Sequence, residues 1–163
     1  MIAIIIVLSF FLEGIFSNLI TNNSLLVPIF SLVSLLVLYP YFNSNNKNFI
    51  IVSGIVGLFY DIIYTDSLFV NTFMFLLLSI FIIKISEYAN YNLLNLSILT
   101  IISICLYRIL SYLLLCMVGY LNFNEIILIR GIYSSLIINI IYCIILYFVT
   151  DYIGKKFKLR KSE

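Results

Sequence analysis

The sequence predicts an all-α polytopic membrane protein, a bundle of six transmembrane helices. Of 163 residues, 64% are hydrophobic and 10% are charged, and the mean hydropathy is +1.20. A soluble domain carries about 25% charged residues, which clothe its core; this chain has no such shell. The apolar residues fall into six runs cut by short polar breaks, and six runs leave roughly 27 residues apiece against the ~20 that cross a bilayer. Loops are therefore short and no soluble domain fits. Apolar and polar residues do not alternate as in strands, which argues against a β-barrel.

Span 1, residues 2–20, starts beside Met1 without a basic leader or a small-residue cleavage site, so it reads as a retained span. Thr21-Asn22-Asn23-Ser24 ends it. Span 2, residues 25–42, carries Pro28 in its expected first turn, where a missing N–H costs little. It closes at Tyr39-Pro40-Tyr41 and Asn43-Ser44-Asn45-Asn46-Lys47. Span 3 covers 49–64, and the break from Asp61 to Ser67 separates it from span 4, 68–86. Spans 5 and 6 cover 93–120 and 128–150. Fusing spans 3 and 4 would bury Asp61 and Asp66 in one overlong segment, which length and charge both disfavour. The domain reading is one transmembrane domain over 1–154 and a basic cytoplasmic tail over 155–163.

Orientation follows from the basic residues. With six spans and both termini cytoplasmic, Lys47, Lys84 and the cluster Lys155, Lys156, Lys158, Arg160 and Lys161 all fall inside, seven of the nine basic residues in the chain. Arg130, Asp66 and Glu125 fall outside. The tail reads as an anchor for anionic lipid, worth about 1 kcal/mol per basic residue near the surface, rather than as a nucleic-acid contact. Tyr39, Tyr41, Tyr88, Tyr91, Tyr147 and Tyr152 would mark the inner boundary, and Tyr64 and Tyr120 the outer one. Tyr107, Tyr112 and Tyr142 lie deeper and require hydroxyl partners or a wet cavity.

Composition removes several chemistries. Histidine is absent, so histidine-based catalysis and histidine-ligated metals are excluded. The three cysteines, Cys105, Cys116 and Cys143, all sit in apolar runs and do not read as a disulfide framework. No paired-glutamate, zinc-protease, serine-hydrolase or phosphate-loop pattern occurs. The expectation is a protein that is not an enzyme and holds no cofactor or metal.

What remains is a small set of polar residues in hydrocarbon. Glu13, Asp61 and Arg108 lie within the spans and Arg130 close to one end, where a central charge costs about 2.5–3.5 kcal/mol on insertion scales. Spans 1, 3 and 5 run in the same direction, so a Glu13–Arg108 or an Asp61–Arg108 pair is open. Such a pair would lock the bundle, line a polar pocket toward the outer face, or serve an ion relay. Gly54 and Gly57 share the face of Asp61 and read as a helix-packing surface, internal or toward a partner. Asn71 and Thr72 open span 4, where they can bond back toward Asp61; Asn71 can alternatively face a partner helix.

The run Gly54-x-x-Gly57-Leu58-x-x-Asp61, followed ten residues later by Asn71, resembles the core signature of the MreD family, bacterial membrane proteins of the rod-shape machinery. Size, six-span pattern, an Asn-rich first loop and Pro28 extend the likeness over most of the chain. The family often carries glycine between the aspartate and the asparagine, where Phe69 stands here. The resemblance implies an architecture like the S components of energy-coupling-factor vitamin transporters. It also implies a non-catalytic scaffold in the bacterial cytoplasmic membrane that works with the bitopic protein MreC, the MreB filament and peptidoglycan synthases. The alternative is a true S component that captures a vitamin-like solute. That protein would be expected to show an A-x-x-x-A docking face in span 1, which here has only Ala3.

Overall fold

The structure is a computed structural model that describes residues 1–20, 27–42, 45–65, 69–86, 91–119 and 121–156. Six α-helices follow in order: α1 Ile2–Ile20, α2 Phe30–Leu38, α3 Asn46–Tyr64, α4 Val70–Ser86, α5 Leu93–Met117 and α6 Glu125–Lys156, with a 3₁₀ turn Tyr39–Phe42 after α2. Among the described residues there is no strand, so the all-α class stands. Four helices, α1, α3, α5 and α6, are long and apolar enough to cross a membrane. The other two apolar helices, α2 with its 3₁₀ turn and α4, are shorter. The expected breaks at 21–24, 43–44 and 66–67, the interfacial Tyr88 and Tyr120, and the tail beyond Lys156 lie outside the described residues.

Helix ends differ from the sequence reading where a local partner decides them. α3 starts at Asn46 rather than at 49 because the Asn45 side chain caps it, accepting the Asn48 N–H at 3.3 Å. α5 ends at Met117, short of 120, because Gly119 (φ +81°) takes the left-handed turn that stops a helix. α6 runs through Lys156, so Lys155 and Lys156, placed in the tail by sequence, form its last turn. There Lys155 pairs with Asp151 at 2.7 Å.

The largest difference is in span 2. The helix begins at Phe30, not near 25, and Pro28 lies before it in non-helical backbone rather than in its first turn. Asn139 of α6 explains the change. Its Oδ1 accepts the Ile29 N–H at 2.8 Å, and its Nδ2 donates to the Val27 carbonyl at 3.1 Å and to the Ser135 carbonyl at 2.6 Å. The Val27 N–H donates to the Ser134 carbonyl at 3.1 Å. Irregular backbone inside a bundle survives only when its polar groups are met in this way.

Packing places α2 at the centre. All nine of its residues are buried, and α1, α5, α6 and the 3₁₀ turn surround it. α3 packs chiefly on α4, α5 on α6, and α4 also meets α5. Outward faces are apolar: Leu19, Met117, Ile126 and Ile137 are among many large exposed side chains. Such a surface is stable in lipid and not in water. The deep tyrosine hydroxyls are paired inward. Tyr107 donates to Asn71 Oδ1 at 2.8 Å, Tyr112 to the Asn124 carbonyl at 3.0 Å, and Tyr142 shares a 2.6 Å bond with Ser9. The deep tyrosines therefore have the partners their burial requires.

Replacing Asn139 by leucine leaves the Ile29 N–H and the Val27 carbonyl without partners. Each unmet buried group costs about 1–3 kcal/mol. Asn139→Leu is expected to lower the midpoint of thermal unfolding in detergent by far more than Ser97→Ala, a change at a half-buried hydroxyl bonded only to its own helix.

Candidate functional site

Every helix contributes to one polar interior, and two carboxylates organise it. The first is Asp61, one turn before the end of α3 and 3% exposed. Its Oδ1 accepts the backbone N–H of Asn71 at 2.9 Å and the Asn71 side-chain amide at 3.0 Å. Its Oδ2 accepts the backbone N–H of Thr72 at 2.8 Å and the Thr72 hydroxyl at 2.7 Å. Asn71 and Thr72 form the first turn of α4, whose leading N–H groups have no partner within their own helix. A negative charge there also complements the helix dipole. Asp61 thus caps the helix that follows its own, and Asn71 carries the link onward to Tyr107 of α5.

Gly57 lets this happen. A Cβ at that position would stand 2.7 Å from Thr72 Cα and 2.9 Å from the Asn71 carbonyl oxygen, both main-chain atoms that cannot swing aside. Gly54, one turn earlier, meets only the flexible Leu76 side chain, at 3.1 Å. Of the two readings for this face, the structure fills it from within the chain: Gly57, Asp61 and Asn71 pack α3 on α4. Phe69, where the family often has glycine, has φ +68°, in the left-handed region that disfavours side chains.

Glu13 is the second carboxylate. It is 2% exposed on α1 and reaches the first turn of α2, where its Oε2 accepts both the backbone N–H of Ser31, at 2.9 Å, and the Ser31 hydroxyl. The same device therefore occurs twice, each time with an acid from one helix closing the amino end of another. Arg108 of α5 is half-buried, and its Nε donates to Ser135 Oγ of α6 at 3.2 Å. The expected direct ion pair of Arg108 with Glu13 or Asp61 does not form; among the described residues the ion pair is Lys155–Asp151. The reason is competition. Neutral donors at the two helix ends occupy both Asp61 oxygens and one Glu13 oxygen, leaving the guanidinium to interact with Glu13 through space, together with Tyr60 and Tyr107. Arg130 is exposed near the start of α6 and takes no part.

Of the residues that the sequence singled out, Glu13, Asp61, Asn71 and Arg108 lie in this interior; Ser31, Ser135 and Asn139, which bond within it, were not singled out. Asn139 did leave a signal: an amide flanked on each side by two isoleucines, in the middle of a long apolar run. The serines left none, since serine commonly bonds to its own helix in such segments. Among the described residues no cluster of three or more acidic or cysteine side chains is placed to hold a metal.

Comparison with known proteins supplies the class. A family model described as rod shape-determining protein MreD matches residues 1–156. The chain belongs to the MreD family. A search of curated proteins and a search of solved structures each returned no match. Membership gives this MreD chain a role in rod shape determination, and its apolar helices make it an integral membrane protein. The family signature is here a structural unit: the glycine admits α4, the aspartate caps it and the asparagine ties it to α5.

Two measurements follow from this geometry. Asp61→Ala removes the four bonds accepted from Asn71 and Thr72, and a longer one from the Thr65 hydroxyl at 3.4 Å, and should cost at least about 2 kcal/mol of stability, with Asp61→Asn intermediate; unfolding of the purified protein in detergent reads both. Phe69→Gly relieves the left-handed strain and should raise stability by up to about 1 kcal/mol in the same assay.

Proposed function

We propose that this MreD-family protein is a non-catalytic scaffold of the rod-shape complex in the bacterial cytoplasmic membrane. In this reading it recruits an MreC-like bitopic partner and links an MreB-like filament to peptidoglycan synthesis. The family match carries the proposal, and the disposition of the polar groups supports it. Asp61, Asn71 and Asn139 spend their bonding capacity on holding helices together, and Glu13 does so with one oxygen. The lateral faces of α1, α3, α5 and α6 present large apolar side chains, the surface on which membrane helices meet. In a solute carrier, helix ends broken within the membrane typically point at an anionic substrate group. Here the protein's own carboxylates take those positions, which favours a scaffold over a vitamin-binding S component.

In the proposed topology both termini are cytoplasmic and the tail over 155–163 rests on anionic lipid. Reporter fusions after Lys47 and after Glu163 should both report cytoplasm; an external signal at either position overturns the topology. Deleting the gene from its host should round the cells, and the intact chain should co-purify with an MreC-like protein. Cells that stay rod-shaped, together with tight binding of a vitamin by the purified protein, would replace this reading with the transporter one. Because Gly57 packs inside the chain, Gly57→Leu should reduce the amount of folded protein before any effect on a partner is seen. Size-exclusion chromatography of the variant separates the two effects.

A further inference from the structure

Two charged side chains at the centre of the bundle have unfinished bonding. Glu13 uses Oε2 for both contacts with Ser31; its Oε1 is buried and makes no well-formed hydrogen bond, the Tyr60 hydroxyl being a donor that approaches the carboxylate. Arg108 directs Nε to Ser135, and its Nη2 is likewise buried and unpartnered. The two groups carry opposite charge and interact through space, and a chain of ring contacts joins their surroundings: Phe10, one turn before Glu13, meets Tyr60 at 6.5 Å, Tyr60 meets Phe75 at 5.7 Å, and Phe75 meets Tyr107, the neighbour of Arg108, at 6.2 Å. An orphaned charged atom in a low-dielectric interior is among the least tolerable features of a fold.

The chemistry of the two atoms narrows what can satisfy them together. Oε1 needs a donor and Nη2 needs an acceptor. A metal ion suits the carboxylate and is repelled by the guanidinium, whereas an anion has the reverse difficulty. Water donates and accepts, and a buried water typically makes about three hydrogen bonds. We infer that an ordered water site between α1, α3 and α5 bridges Glu13 Oε1 to Arg108 Nη2, with the Tyr60 hydroxyl beside it. Two further buried hydroxyls without partners point the same way. Ser53 precedes Tyr60 by seven residues on α3 and Ser103 precedes Tyr107 by four on α5, so each shares a helix face with one of these tyrosines. The Glu13–Arg108 interaction is then a water-mediated ion pair, and hydration belongs to the core of this membrane protein.

X-ray radiolytic footprinting of the full-length protein in lipid nanodiscs tests this, because hydroxyl radicals generated from a bound water label the side chains next to it even when they are buried. Tyr107 is buried, as are the core aromatics Phe49 and Phe75, at 6% exposure against 0% and 1%. After correction for intrinsic reactivity, Tyr107 should label several-fold faster than Phe49 and Phe75. Equal rates mean a dry interior and overturn the inference. The double variant Glu13→Gln, Arg108→Met tests the bridge itself, and its Tyr107 labelling should fall to the level of the two phenylalanines. Labelling that persists in a folded double variant shows that the pair does not hold the water, and overturns the assignment. If the double variant does not fold, the wild-type contrast between Tyr107 and the phenylalanines decides.

Discussion

In hydrocarbon no helix end can be left to solvent, and the rest of this structure depends on how that rule is met. Each helix begins with backbone N–H groups that its own hydrogen bonding does not reach. Where α2 and α4 begin inside the bundle, a carboxylate from a neighbouring helix receives them: Glu13 for α2 and Asp61 for α4. An acid is costly in a membrane, and an uncapped helix end is costly too; placed together, each removes much of the other's penalty. The charges are therefore part of the architecture.

Close approach of backbones is the complementary requirement. Asp61 reaches two consecutive N–H groups of α4 only if α4 lies against α3 with no intervening side chain, and Gly57 provides that space. Glycine, acid and amide act as one unit, so the spacing between them is as informative as their identities. Phe69 shows the tension within it. Turning the chain so that Asn71 and Thr72 face Asp61 places residue 69 in a conformation that suits glycine, and this protein accepts a phenylalanine there.

Much of this was legible in the sequence. Composition gave the membrane class, and polar punctuation located all six helices to within a few residues at most ends. The glycine–aspartate–asparagine run stood out because small residues and an acid on one helix face suggest close packing in lipid, although the sequence left open whether the contact is internal or toward a partner. Two features were hidden for physical reasons. The start of α2 depends on Asn139, more than a hundred residues away, and no local pattern reports that partnership. The fate of Arg108 was misread because opposite charges suggest a direct pair, whereas helix-end N–H groups and hydroxyls compete for the same carboxylate oxygens and win.

The enclosed position of α2 bears on how the protein is made. Nine helical residues extend only about 14 Å, too short to span a bilayer independently. The partners of the irregular segment leading into it, Ser134 and Asn139, emerge from the ribosome only when most of the chain has already been synthesised. Until α6 arrives, the backbone at Val27 and Ile29 must be satisfied by interfacial water or by the insertion machinery. The central element of the bundle is therefore completed last, and a nascent chain that stalls before α6 leaves a polar seam unmet.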